Sequence, residues 1–251
     1  MTRGRSPQAE PTIGQVASPW SAQIVRLPAT RGPALTARDL DLLRWVCRHG
    51  VVTPDQVARR FFSRPDGGVG KGAAYRRLRK LRELDLLRSD HTFYMEPSVQ
   101  RVTSKGAKLA DVGVGPASLV LAEVRHSLAL VDLIEDLLQA HPGSTIETER
   151  ELRIERRGEL AARSRRAGRG RLPDGVLTLK GKRIALELDL TSKRSNDLEH
   201  ILRTYLTESY DAIWWYVRPR VVPRLKEIVR RNRADDLVSV RPLRPSPGEG
   251  Q

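Results

Sequence analysis

The feature that most constrains the fold of this 251-residue chain is a run of alternating residues between Leu172 and Lys193. The turn Lys180-Gly181-Lys182 separates a short β-rich run, Val176 to Leu179, from a longer one, Arg183 to Leu190, as in a β-hairpin. Every second residue of the longer run is aliphatic. The alternation therefore places the intervening polar residues on one face of a strand: Glu187, Asp189 and Thr191.

This hairpin predicts a cluster of carboxylates. Asp174 precedes the first strand, and strand pairing would bring it alongside Glu187 and Asp189, which are about 6.5–7 Å apart on a strand. Like charges at this spacing repel, so the cluster needs a cation, a proton or a basic partner. Hard oxygen ligands suit Mg²⁺, the candidate cofactor. In the alternative, Asp174 caps the turn, and Glu187 and Asp189 pair with Arg183 or Arg194.

The charge balance of the chain favours nucleic acid as its partner. It has 45 Lys and Arg against 30 Asp and Glu, a net charge of +15, and basic surfaces bind phosphate backbones. The alternative is an Arg-rich proteome in which a basic surface has less meaning. The single cysteine, Cys47, excludes an intramolecular disulfide and a Cys-based zinc site. No apolar run spans a membrane and no secretory signal is recognisable, so we expect a cytoplasmic protein.

The first half of the chain has the pattern of three short helices followed by a β-ribbon. Thr36 is an N-cap for the first helix, and Thr53-Pro54 begins the second. The third runs from about Lys71 to Leu84. The ribbon comprises Leu86 to Arg88 and Thr92 to Met95, with a further strand at Val99 to Val102. This order is typical of a winged helix-turn-helix domain.

In that motif the third helix lies in the major groove of double-stranded DNA, and basic residues around it contact phosphates. The groove-facing residues would be Tyr75, Arg76, Arg79 and Lys80, with further contacts from Arg77 and Arg82 and from Arg88 in the wing. A second basic segment, Arg150 to Arg171, contributes Arg165, Arg166 and Arg169. The alternatives are a solvated basic helix in a small bundle and a plain surface insertion.

The second half of the chain predicts a mixed sheet covered by helices. A strand from Thr145 to Ile154, bearing Glu147, Glu149 and Glu151, precedes the hairpin. An amphipathic helix from Ser195, a buried strand at Ala212 to Val217, a helix at Pro223 to Arg231 and a strand at Leu237 to Val240 follow it. Before these lies a long helix, Pro116 to Ala140, whose wide apolar surface indicates burial between domains or at a homodimer contact. We expect its His126, close to Glu123, to be a hydrogen-bonded core histidine.

These elements predict an α+β protein in five segments. They are a disordered arm (1–34), a winged helix-turn-helix DNA-binding domain (35–112), a linker and long helix (113–143), an endonuclease-like α/β domain (144–241) and a disordered tail (242–251).

Several short motifs in this order resemble known families. Pro173-Asp174 followed by Glu187-Leu188-Asp189 resembles the PD-(D/E)-x-K nuclease superfamily. The stretch from Leu35 to Val240 resembles the replication-relaxation family of bacterial plasmids and integrative elements. The matching pieces are Leu35-Thr36-x-Arg38-Asp39, Arg77-Leu78-x-x-Leu81, Val102-Thr103-x-x-Gly106, Glu149-Arg150-Glu151-Leu152, Pro173-Asp174-Gly175, Glu187-Leu188-Asp189-Leu190-Thr191-x-Lys193 and Tyr205.

The second resemblance implies a winged-helix domain joined to a restriction-endonuclease-like domain. Carried over from active nucleases, Asp174 and Glu187 would be metal ligands, with Glu149 as a further acid. The superfamily has a lysine two residues after the glutamate, where this chain has Asp189. Lys193 is the candidate replacement. The catalytic set of an active enzyme would be Asp174, Glu187, Asp189 and Lys193.

We therefore expect a DNA-binding protein of a mobile element that acts in replication, relaxation or transcriptional control, with a non-catalytic nuclease-like domain. One alternative is a Mg²⁺-dependent DNA endonuclease or nickase. The other is a transcriptional regulator whose C-terminal domain binds a ligand or a protein.

Overall fold

The structure is a computed structural model that describes residues 35–157, 172–191 and 193–243. These residues form an α+β fold that contains a mixed five-stranded sheet and a separate two-stranded ribbon. The predicted arm (1–34), most of the predicted tail and the predicted DNA contacts Arg165, Arg166 and Arg169 lie outside the described residues.

Three helices begin this part of the chain: α1 (Ala37–His49), α2 (Pro54–Phe61) and α3 (Lys71–Glu83). Thr36 and Thr53 are the N-caps that the sequence predicted, and each forms a capping box, Thr36 with Asp39 and Thr53 with Gln56. The apolar stripe of α3, Ala74, Leu78 and Leu81, is fully buried in the core of these helices.

One buried ion pair fixes α3 against α1. The carboxylate of Asp39 accepts hydrogen bonds from Nε and Nη2 of Arg77 and also from Thr36 at the helix N-terminus. Burial raises the pKa of Asp39, but the bonds to Arg77 and Thr36 outweigh it and hold the pKa below its ordinary value. A single carboxylate thus caps one helix and orients another.

The ribbon pairs β1 (Leu87–Asp90) with β2 (Val99–Val102) in antiparallel register. The prediction of a strand at Thr92 to Met95 is wrong: these residues lie in the connecting loop, where Met95 has φ +63°. The four residues of β2 are all buried, and this burial explains why the later run is the strand.

Helix α4 (Ser104–Ala110) follows β2 and is capped by Thr103. A Cβ on Gly106 would lie 2.1 Å from the carbonyl oxygen of Leu86, so the close approach of α4 to the ribbon requires glycine.

The long helix α5 (Leu121–Ala140) lies between the helical half and the sheet. It begins later than the predicted Pro116. Val131 packs in the core of α1–α3, whereas Ile134 and Leu137 pack against the sheet. Side chains of the helical half also bond to α5: Gln56 Nε2 donates to the Leu128 carbonyl at 2.8 Å. The apolar residues of α5 are thus buried against both the helical half and the sheet.

The main sheet has the order β3-β4-β5-β6-β7. The strands are β3 (Thr145–Thr148), β4 (Gly175–Leu179), β5 (Lys182–Asp189), β6 (Ala212–Val217) and β7 (Val238–Pro242). The first three are antiparallel and the last three are parallel, which confirms the predicted mixed sheet. β4 and β5 form the predicted hairpin. Its two turn residues, Lys180 and Gly181, both have positive φ.

The predicted strand from Thr145 to Ile154 is only partly correct. The strand ends at Thr148, and helix α6 (Glu149–Glu155) begins there. Thr148 and Glu151 form a capping box, which explains why the backbone turns helical at this point. Glu149 and Glu151 therefore belong to a helix and not to the sheet.

Helices cover both faces of the sheet. Helix α7 (Ser195–Leu206) and helix α8 (Val222–Arg231), which follows a 3-10 turn at Pro219–Val221, pack with Ala185 on one face. Helix α5 packs with Leu186 on the other. The last strand extends to Pro242, so the sheet continues beyond the predicted boundary at residue 241. No helix among the described residues is long and apolar enough to cross a membrane.

Replacing Arg77 with methionine tests the Asp39–Arg77 pair. The variant keeps an apolar stem but leaves the buried Asp39 carboxylate without its cation. We expect it to lower the free energy of unfolding by at least about 2 kcal/mol, measured by urea denaturation. The control is Arg76→Met on the exposed face of the same helix, which should change stability by less than about 0.5 kcal/mol. Equal losses in both variants would show that the pair does not anchor α3.

Candidate functional site

The predicted carboxylates do come together at one end of the β4–β5 hairpin. Gly175 pairs with Leu186, and the Asp174 N–H donates to the Leu186 carbonyl at 3.0 Å, so Asp174 lies alongside Glu187. Glu187 and Asp189 are both almost fully buried. Each of the three carboxylates has a protein partner of its own.

Glu187 is bonded by a tyrosine from α7. The inward stripe of that helix consists of Leu198, Ile201, Leu202 and Tyr205, and the Tyr205 hydroxyl reaches the Glu187 carboxylate in a short hydrogen bond. The Leu172 carbonyl lies 3.4 Å from the same hydroxyl. A hydroxyl has one proton, and the shorter contact assigns it to Glu187. Tyr205 therefore solvates a carboxyl group that burial would otherwise destabilise.

Asp189 is paired with Lys193. β5 ends at Asp189, and the chain turns there because Asp189 Oδ1 accepts from the N–H of Thr191 at 3.1 Å and from its hydroxyl at 3.2 Å. This turn brings Lys193 Nζ to 3.1 Å from Asp189 Oδ2, although not in good hydrogen-bond geometry. Lys193, the candidate replacement lysine, therefore lies beside Asp189.

Asp174 is bonded by the backbone and by a histidine of α5. Its Oδ2 accepts from the Leu188 N–H at 2.7 Å and lies 3.4 Å from His126 Nε2. The same nitrogen is 3.0 Å from the Leu188 carbonyl. His126 therefore contacts Asp174 and not the predicted neighbour Glu123, because the packing of α5 turns this side chain to the sheet.

The surroundings of His126 favour its protonated form. Burial lowers its pKa, but the hydrogen bond to Asp174, the Asp174 charge, the Leu188 carbonyl and the Glu187 charge together raise it to about 9. The imidazolium places a fixed positive charge beside Asp174.

Glu149, the predicted further acid, lies near this site only through its backbone. Its N–H donates to the Asp174 carbonyl at 3.1 Å, whereas its side chain bonds to Arg153 one turn along α6.

The arrangement does not fit a Mg²⁺ site. Magnesium binds carboxylates that present free oxygens at octahedral spacing. Here the oxygens of Asp174 and Asp189 already face a backbone N–H, His126 and Lys193, and Glu187 faces Tyr205. Across residues 35–157, 172–191 and 193–243, no group of three or more Asp, Glu, His or Cys side chains could hold a metal ion.

The second candidate site is the outer face of α3. Tyr75 is 48% exposed and the Arg79 side chain is 69% exposed; Arg76 is also exposed. Lys80 lies beside them and pairs with Glu83 at 3.0 Å. We call these four residues, Tyr75, Arg76, Arg79 and Lys80, the basic face of α3. It has the positive charge and the aromatic ring that the sequence predicted.

The other predicted contacts on this half are engaged within the protein. Arg77 is bonded to Asp39, Arg82 donates to Gln100 at 3.1 Å and Arg88 pairs with Asp90 at 3.0 Å. Arg77 is partly buried, and its charge is compensated by Asp39. Arg82 ties α3 to the ribbon, and Arg88 remains more than half exposed.

An open groove of about 850 Å³ runs between the start of α1 and α3. The basic lining comprises Arg38, Arg60, Arg76, Arg77 and Lys80, with Asp39 and Asp41 as the acidic residues. The excess of cations makes the groove electrostatically suited to an anion such as phosphate.

Sequence reasoning missed two partners of the carboxylates. Tyr205 was recognised among the motifs shared with the replication-relaxation family, but not as a hydrogen-bond donor to Glu187. His126 was recognised in α5, but its partner lies 48 positions away (174 − 126). Only the packing of α5 on the sheet reveals this second contact.

The raised pKa of His126 predicts a pH-dependent stability. A histidine that binds its proton more tightly in the folded state contributes stability that is complete below its unfolded pKa of about 6.5. That contribution is lost as the pH rises through about 9. We expect the stability difference between wild type and His126→Gln, measured by urea denaturation, to shrink from pH 6.5 to pH 9.5.

His200→Gln, at an exposed position on α7, is the control and should leave the pH profile of the wild type unchanged. A stability difference for His126→Gln that stays constant across this range would contradict the charged His126–Asp174 contact.

Comparison with known proteins identifies one family. The replication-relaxation family model matches residues 43–215, which is 173 of the 251 residues. No curated protein and no solved structure gives a significant match to the chain. The family match covers α3, α5, the hairpin, Glu187 and Tyr205, the elements that form both candidate sites. Because it spans more than half of the sequence, the chain belongs to the replication-relaxation family.

Proposed function

We propose that this protein binds double-stranded DNA of a mobile element and acts in its replication, relaxation or transcriptional control. In this proposal residues 35–112 are a winged helix-turn-helix domain. Helix α3 lies in the major groove, and the ribbon of β1 and β2 is the wing. The family description, replication-relaxation, supports an association with DNA.

The observation that carries the proposal is the basic face of α3. One side of this helix is buried through Ala74, Leu78 and Leu81, and the opposite side exposes Tyr75, Arg76 and Arg79. A helix anchored on its apolar stripe with a cationic outer face is the arrangement that a recognition helix needs. The adjacent groove of α1 and α3 offers further cations to the phosphate backbone.

We further propose that residues 144–241 form a restriction-endonuclease-like domain without catalytic activity. Its support is the internal pairing of two carboxylates: His126 and Tyr205 lie beside Asp174 and Glu187, where an active enzyme would need free oxygens. The endonuclease alternative retains the approach of Lys193 to the acidic cluster in its favour. A ligand-binding or protein-binding regulatory domain remains the third hypothesis.

The basic face of α3 predicts a salt-dependent affinity for duplex DNA. The double variant Arg76→Ala, Arg79→Ala removes two phosphate contacts. We expect the slope of log affinity against log salt to decrease by about 1.8, since each contact contributes about 0.9. The measurement is fluorescence anisotropy with a random-sequence duplex at several salt concentrations.

The matched control for this experiment is Arg220→Ala, Arg231→Ala, which removes the same charge from exposed positions in the second half of the chain. It should leave the slope nearly unchanged. Equal changes in both double variants would indicate binding by overall charge and would contradict the winged-helix proposal.

Plasmid cleavage distinguishes the scaffold from the endonuclease. We expect no nicking of supercoiled plasmid by the wild type in Mg²⁺ or Mn²⁺, and unchanged duplex affinity in the isosteric double variant Asp174→Asn, Glu187→Gln. Metal-dependent nicking that disappears in this variant would instead establish a nuclease and would overturn the non-catalytic proposal.

A further inference from the structure

The loop at the tip of the ribbon, residues 91–98, exposes two adjacent large side chains. Tyr94 is 94% exposed and Met95 is 86% exposed, whereas no other large apolar side chain among the described residues exceeds 50%. Isolated exposed apolar residues are common on protein surfaces, but two neighbours in full contact with water indicate a surface that binds something.

Contacts with α5 hold the backbone of the tip on both sides of Tyr94 and Met95, whose side chains extend into solvent. The Arg125 guanidinium of α5 stacks 4.7 Å from the centre of the Phe93 ring and pairs with Glu96 at 2.7 Å. The Glu96 N–H bonds to the Phe93 carbonyl at 3.3 Å. Residues on both sides of the exposed pair are thus attached to α5, and Met95 is held in the left-handed region between them. The loop therefore presents Tyr94 and Met95 in a fixed position.

The charges around the tip suit a polyanionic partner. The side chains of Arg88 in the ribbon and Arg125 in α5 are 55% and 68% exposed, whereas those of their partners Asp90 and Glu96 are 19% and 34% exposed. Around these two pairs the solvent therefore meets more guanidinium than carboxylate, a balance that suits a phosphate backbone. The occupant favoured by this balance is nucleic acid and not an acidic or purely apolar protein surface.

The dimensions of the ribbon agree with this partner. Arg82 bonds α3 to Gln100, which pairs with Ser89 in the ribbon, and a strand of four residues such as β1 extends about 13 Å. The minor groove beside an occupied major groove lies roughly 17 Å away, half of the ~34 Å helical turn. The ribbon with its loop is long enough to cross one phosphate strand.

We propose that Tyr94 and Met95 form a wedge that inserts from the minor groove between base pairs of the duplex and locally unwinds it. Apolar side chains, methionine among them, unstack base steps in this way, and aromatic rings stack on bases without regard to sequence. The inference rests on the proposed DNA-binding function and adds a second contact, which deforms the duplex instead of positioning the protein on it.

The test measures unwinding and affinity separately. A closed circular plasmid is relaxed with a type I topoisomerase in the presence of the protein, the protein is removed, and the linking number is read on a gel. The wild type should change the linking number. Tyr94→Ala, Met95→Ala should abolish most of this change at equal amounts of bound protein and weaken duplex binding about fivefold to hundredfold.

Two controls accompany this experiment. Tyr94→Phe keeps the ring and should unwind the plasmid as the wild type does. Leu206→Ala removes an exposed apolar side chain from α7, distant in sequence from the tip, and should have no effect. A sample without topoisomerase shows whether the protein alters the plasmid by itself.

The outcomes separate the wedge from the proposed function. Wild-type protein that binds duplex through Arg76 and Arg79 but leaves the linking number unchanged would overturn the wedge alone. No duplex binding at all would overturn both. A wild-type dimer that becomes a monomer in Tyr94→Ala, Met95→Ala, with unwinding retained, would also overturn the wedge and assign the tip to self-association.

Discussion

The packing of α5 on both sides is the constraint on which the rest of the structure depends. Val131 completes the core of the first three helices, and Ile134 and Leu137 complete one face of the sheet. Polar contacts follow the same division: Trp45 Nε1 donates to Glu135 at 2.8 Å on one side, and His126 meets Asp174 on the other. The cationic outer surface of α3 and the buried acids of the hairpin are consequently held to one common element.

The acidic end of the hairpin illustrates how side chains of the protein itself can compensate buried carboxylates. A dication would bring two positive charges to this site, and His126 and Lys193 bring one each. Tyr205 adds a proton donor to the carboxylate on the central strand. Removing one of these partners would leave a desolvated acid, which costs more than the contact itself contributes. The internal donors are therefore as necessary to the fold as the apolar residues around them.

Local signals predicted much of this architecture. The capping residues of α1 and α2, the alternation of β5 and the inward stripe of α7 are all contained in short windows of sequence. The prediction of a strand as far as Ile154 was wrong. The alternating glutamates favoured a strand, but Thr148 and Glu151 form a capping box that begins a helix. The contact of His126 with Asp174 depends on how α5 packs on the sheet, and no local pattern encodes it. Lys193 returns to Asp189 because β5 ends early, which the alternation alone does not reveal.

The shared use of α5 has a consequence for dissecting the protein into pieces. A truncation before Leu121 would leave the helical half without Val131 and without the acceptors of Gln56 and Trp45. A cut after α5 would instead leave the sheet without Ile134 and Leu137 and so uncover its aliphatic face. Each half expressed alone would thus expose apolar surface and tend to aggregate. Loss of activity in such a fragment would therefore indicate misfolding and not the removal of a functional residue. Point substitutions in the intact chain avoid this ambiguity.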